Sequence, residues 1–147
     1  MDRQDDPSIS GDLLLLRRIP PRGDRVSWAE DGTPIPSSFN FKDKDDELSV
    51  YIRVETTAEA VLHGHPGFGL VCFTAQQARE ACGPGIILCR CAEEPDQGHV
   101  LICGKISGGA AKRLQKAAIW FEDHWPSRIS PDIQPGASGE AGPRDPE

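Results

Sequence analysis

The segment "LSVYIRV", residues 48 to 54, constrains the fold more than any other part of the chain. Leu48, Val50, Ile52 and Val54 alternate with Ser49, Tyr51 and Arg53. A period of two places the four aliphatic side chains on one face of a strand and the other three on the opposite face. Such a strand is stable only inside a sheet with one dry face, so the chain must supply pairing strands and a cover. The neighbouring sequence supplies both.

Residues 12 to 19, "DLLLLRRI", read as a first strand, "GFGLVCFT" (67–74) as a buried one, and "GIILCRCAE" (85–93) with "HVLICGKI" (99–106) as two more. The last two flank "EPDQG", a five-residue hairpin loop. "TTAEAVL" (56–62) predicts a short helix. Thr74 followed by Gln77 is a capping-box pattern opening a second helix, with Gly83 as its stop. Ser107 caps a third helix, expected over 108–124, whose core face is Ala110, Leu114, Ala117 or Ala118, and Phe121. The reading is an α+β domain: a mostly antiparallel sheet of about five strands covered by a C-terminal amphipathic helix.

A length of 147 residues is that of one domain. The folded unit is expected over residues 12–125. Residues 1–11 are polar and expected to be loose. Residues 126–147 hold five prolines and three glycines and no aromatic residue, and are expected to be disordered because they cannot bury enough surface to offset ordering entropy. Pro20 to Glu47, broken by prolines and glycines, reads as a long irregular segment pinned by Trp28, Phe39 and Phe41. "RGD" at 22–24 reads as a turn, and the acidic run Asp43 to Glu47 as a solvated loop.

With 16 basic and 23 acidic residues the net charge is -7, the opposite of what a duplex nucleic-acid binder needs. No apolar run reaches the length of a bilayer span, and Leu13 to Leu16 is too short for a signal core and follows acidic residues. A cytoplasmic location is therefore expected. Five cysteines, an odd number set mostly within apolar runs, read as reduced thiols.

Three features are candidates for chemistry. "HGHPGFG" (63–69) offers His63 and His65 as acid–base groups or ligands, but its proline and glycines equally describe a turn. Cys89 and Cys91 share a strand face, and Cys103 on the next strand could join them around a soft metal; buried core thiols are the alternative. Residues 104–120 hold Lys105, Lys112, Arg113 and Lys116 and no acid, with Ser107, Gly108 and Gly109 opening the helix. Free N–H groups, helix dipole and basic side chains there suit an anion or an acidic partner, or simply a solvated helix face. No cofactor motif is present and no metal or cofactor is expected.

"LLRRIPP", "PSSFNF", "LSVYI", "GHPGFGLVCFTAQQARE" and the "GK" before the basic helix together resemble a family of small uncharacterised bacterial proteins of unknown function. The resemblance implies one domain over most of residues 13–120. Arg17 or Arg18, Ser37 with Ser38, and Glu80 are similar to the arginine, serine and glutamate positions of ADP-ribosyltransferase-like folds. Those folds hold the glutamate by a strand, whereas Glu80 is expected on a helix.

The functional expectation is a small accessory domain that binds a protein partner, encoded nearby, through the basic helix, with Trp28, Trp120 and Trp125 as aromatic anchors. The alternative is a small enzyme acting on a nucleotide or phosphate-bearing substrate, the basic helix holding phosphate and His63 or His65 serving as acid or base.

Overall fold

The computed structural model of the chain describes residues 4–43, 45–91 and 98–128. Its main body is a six-stranded sheet in the order β6-β7-β4-β1-β5-β8. The strands are β1 (Leu14–Ile19), β4 (Glu47–Ile52), β5 (Gly69–Thr74), β6 (Ile87–Arg90), β7 (His99–Cys103) and β8 (Ile119–Trp120). Every pairing is antiparallel. A separate two-stranded sheet joins β2 (Val26–Trp28) to β3 (Pro34–Pro36). The helices are α1 (Ala58–Leu62), α2 (Ala75–Cys82) and α3 (Gly108–Ala117), with short 3-10 helices at Ser38–Phe41 and Arg53–Glu55.

Local chemistry sets the helix starts. Thr57 Oγ1 accepts from Ala60 N, and Ser107 Oγ from Ala110 N, each relieving one orphan N–H of a first turn. At α2 both halves of the capping box form: Gln77 N donates to Thr74 Oγ1 at 3.0 Å and Thr74 N to Gln77 Oε1 at 2.9 Å.

The sheet has two unequal faces. On one, Leu15, Val50, Ile52, Val71, Phe73, Leu88, Val100 and Ile102 pack with Ala75, Ala78, Ala110, Ala111 and Leu114 from α2 and α3, and with Phe41. On the other, Leu16, Tyr51, Leu70, Cys72 and Phe121 meet Val61 of α1. Cover of the larger face is shared: α3 packs against both α2 and the Ser38–Phe41 helix.

The third helix is shorter than its sequence pattern. It ends at Ala117, Ala118 turns extended, and Ile119–Trp120 pairs with Val71 and Cys72 as β8. Phe121, expected on the core side of that helix, is buried against the opposite sheet face. A free edge of β5 outbids the last turns of a weakly apolar helix. "LSVYIRV" also ends early: the strand stops at Ile52, and Val54 is 74% exposed.

The segment 20–47 is more ordered than its prolines and glycines suggest, because it contains β2 and β3. Trp28 and Phe41 pack into the core as expected, but Phe39 is 61% exposed. Residues 4–11, read from their polarity as loose, are tied down. Ile9 is fully buried, Asp6 N donates to Leu88 O at 2.8 Å, and Arg79 binds Asp5 at 3.0 Å and Ile9 O at 2.8 Å. At the other end residues 126–128 also pack. Ser127 N donates to Gly67 O at 2.8 Å, and the Arg128 guanidinium lies 5.0 Å from the centre of the Trp28 ring. The remainder of the tail, 129–147, and all of the expected "EPDQG" loop except Gly98 lie outside the described residues, as do residues 92 and 93.

Candidate functional site

Backbone geometry accounts for "HGHPGFG". His63 closes α1, His65 N donates to Leu62 O at 2.9 Å, and Phe68 N to His65 O at 3.3 Å. Gly67 has φ +82°, open to glycine and strained for other residues. Gly69 is needed for space: a Cβ there would sit 2.7 Å from Pro126 N. Leu70 N accordingly reaches His124 O at 2.9 Å as the C-terminal segment crosses. His63 is exposed and lines a depression of about 310 Å³ with Thr57, Glu59 and Ala60. His65 lies against Phe68, ring centres 5.0 Å apart. No α3 residue lines that depression. The α1 segment leading to these histidines packs on the smaller sheet face, whereas Ala110, Ala111 and Leu114 of α3 pack on the larger one.

The strand register brings two of the three cysteines together. Cys89 Sγ and Cys103 Sγ are 3.4 Å apart across β6 and β7. Among the described residues, however, no three His, Cys, Asp or Glu side chains converge as metal ligands. Burial pushes the Cys82 thiol up to about 11, and pushes Cys72 up as well, which suppresses the reactive thiolate.

On α3 the predicted group divides by role. Ser107 is the N-cap. Arg113 Nε donates to Ala81 O at 2.9 Å, so this cation ties α3 to the carbonyl end of α2, where the helix dipole favours positive charge. Lys105, Lys112 and Lys116 are exposed, and none has an ion-pair partner among the described residues. Trp120, considered as an interface anchor, is structural: its Nε1 donates to Pro34 O at 2.8 Å. Gln115 Nε2 donates to Pro36 O at 2.8 Å and fixes α3 to β3. Trp125 is 48% exposed.

The arginine, serine and glutamate positions likened to ADP-ribosyltransferase-like folds have other employment. Arg17 Nε donates to Asn40 O at 2.8 Å and its Nη1 to Ser49 O at 2.9 Å. Ser37 Oγ donates to Asp24 O at 2.7 Å, and Glu80 sits exposed on α2 bonded to Gln76. Arg18 Nη1 donates to Val61 O at 3.0 Å over the Tyr51 ring.

A second cationic region leaves little signature in the sequence. Pairing of β1 with β4 covers only Leu15 and Leu16, whereas β1 pairs with β5 from Leu14 to Ile19. Where β1 and β4 part, Arg17 enters from the core side and satisfies backbone carbonyls there. The half-buried side chain has its charged head surrounded by protein atoms; burial first, then the nearby Arg25 and Arg18, push it down to about 10. It stays cationic at neutral pH.

Asn40, fully buried, donates to Arg25 O at 2.7 Å and Ser37 O at 2.9 Å, folding the 20–47 segment onto itself. Beside it a cleft of about 330 Å³ is lined by Asp24, Arg25, Phe39, Lys42 and Asp43. The one legible signal was Arg17 itself, a charged residue at an inward position between Leu15 and Ile19.

No protein-family model, curated protein or solved structure matches this chain. Among the described residues no helix is long and apolar enough to cross a membrane.

Proposed function

We propose that this chain is a small cytoplasmic accessory domain that binds an acidic protein partner on the cationic flank of α3. One observation carries the reading. Lys105, Lys112 and Lys116 are exposed and without ion-pair partners among the described residues, on a chain whose net charge is -7. Surface cations on an acidic protein are ordinarily drawn toward its own carboxylates, so three unpaired ones leave a local positive field for a partner. In this reading α3 has two sides. Ala110, Ala111 and Leu114 cover the sheet, and the lysines face outward. Ile119, 65% exposed immediately after the helix, gives the contact an apolar rim.

The enzymatic alternative needs His63 or His65 beside the start of α3. The separation of α1 and α3 onto different sheet faces favours binding instead.

The test is co-purification of the chain with the products of adjacent genes at low and high salt, comparing the natural sequence with K105Q/K112Q/K116Q. A complex that weakens with salt and is lost in the triple variant is expected. A complex indifferent to both, or none with the natural sequence at low salt, overturns the proposal.

A further inference from the structure

We propose that the cleft between the 22–26 turn and residues 39–43 binds a small organic oxyanion. Arg25 and Lys42 hold the charged group and Phe39 lies against its apolar body.

The charges in this cleft are unevenly committed. Both lining carboxylates have other partners: Asp24 pairs with Arg22 at 3.5 Å, and Asp43 Oδ2 accepts from Asp45 N at 2.9 Å. Arg25 has neither an ion pair nor a side-chain hydrogen bond among the described residues, and its Nε is sealed from solvent with no acceptor. That sealed Nε is out of a ligand's reach, so contact with an oxyanion falls to the rest of the uncommitted Arg25 guanidinium, which lines the cleft. Behind it Arg17 donates to the neutral carbonyls of Asn40 and Ser49, and the Asp43 carboxylate offsets part of its positive charge. The depressed affinity of Arg17 for its proton, caused by burial and then by Arg25 and Arg18, marks a crowding of positive charge that an anion would relieve.

The apolar wall is equally specific. Phe39 is 61% exposed, yet it sits in a 3-10 helix anchored on both following positions by fully buried Asn40 and Phe41. Its ring is therefore presented rather than left loose. A planar guanidinium fork matches carboxylate and phosphate oxygens, and a ring wall favours a flat or aliphatic body on the same molecule. The volume suits a single-ring acid, at the small end of ligand pockets. No α3 lysine lines this cleft, so it stands or falls without the partner proposal.

Benzoate and inorganic phosphate are the probes, titrated by calorimetry and by amide NMR shifts into the full chain, R25Q and F39A. Saturable benzoate binding that moves amides of residues 24–26 and 39–43 is expected. R25Q should weaken it roughly tenfold or more, the worth of a charge-assisted hydrogen bond. F39A, a change at an exposed side chain, should weaken benzoate by a smaller factor and leave phosphate unaffected. Failure of benzoate to saturate, or equal affinity in F39A and the natural sequence, overturns the proposal. Phosphate binding as tightly as benzoate also overturns it, by reducing the site to a general anion contact.

Discussion

Two groups of cations on this acidic chain are held in opposite ways. Lys105, Lys112 and Lys116 stand on and beside α3 in solvent, with their charge hydrated and uncommitted. Arg17 and Arg25 are turned inward, one bound to carbonyl oxygens and the other with an orphan donor. The first group adds little to stability and leaves charge available to a partner. The second is part of the architecture: Arg17 fills the space where β1 and β4 diverge and holds the 3-10 helix that walls the cleft. In the proposed reading the exposed charge serves contact, whereas the inward charge serves construction, and burial divides the two.

The largest test of that contrast is Arg17→Ala. It strands the carbonyls of Ser49 and Asn40 and leaves a void, so it should cost about 3 kcal/mol in chemical denaturation. A loss no larger than that of a surface lysine variant would erase the distinction. Asn40→Ala removes two of the bonds that close the 20–47 segment and should cost about 2 kcal/mol, with faster amide exchange across residues 24–41. Arg113 lies between the two classes, exposed yet bonded to Ala81 O. Arg113→Gln should cost about 1 kcal/mol, read as a lower midpoint at unchanged denaturant slope.

A fourth pattern is the paired surface cation. Arg90 meets both oxygens of Glu55 at 2.8 and 2.9 Å, and the Arg90 hydrogen bond holds the Glu55 carboxyl below its ordinary value. The folded state therefore binds that proton less readily than the unfolded chain. Its contribution is present above the usual glutamate range and fades as pH falls through the lowered value. Because the pair is about one-third exposed, no more than about 1 kcal/mol should disappear on acidification, and Glu55→Gln should flatten that part of the curve. The smallest effect belongs to Lys112→Gln and Lys116→Gln, each within about 0.5 kcal/mol of the natural sequence. A larger loss would mean the α3 lysines are structural after all.

Much of the framework was legible in short windows. The strands of β1, β4, β5 and β7, the Thr74–Gln77 capping box, the Ser107 cap and the "HGHPGFG" turn each follow from residues that touch or bond within a few positions. Of the candidate site residues, Ser107 was visible as a cap but Arg113's bond to Ala81 O was not, because that oxygen is contributed by a helix far earlier in the chain. Phe39 looked like a core residue by type alone, and only the orientation of the 3-10 helix turned it outward.

By itself the sequence determined the strands β1, β4, β5, β6 and β7, the helix starts, the α+β class and the acidic balance against a basic helix. These depend on periodicity, capping and composition, all local quantities. Tertiary structure alone decided that residues 119–120 pair as a strand, that residues 4–11 dock on β6 and Arg79, and that Arg25, Phe39 and Lys42 gather around a cleft. Each of those outcomes is a competition between distant groups for an open sheet edge, a free carbonyl or a buried volume. No window of neighbouring residues contains the other competitor.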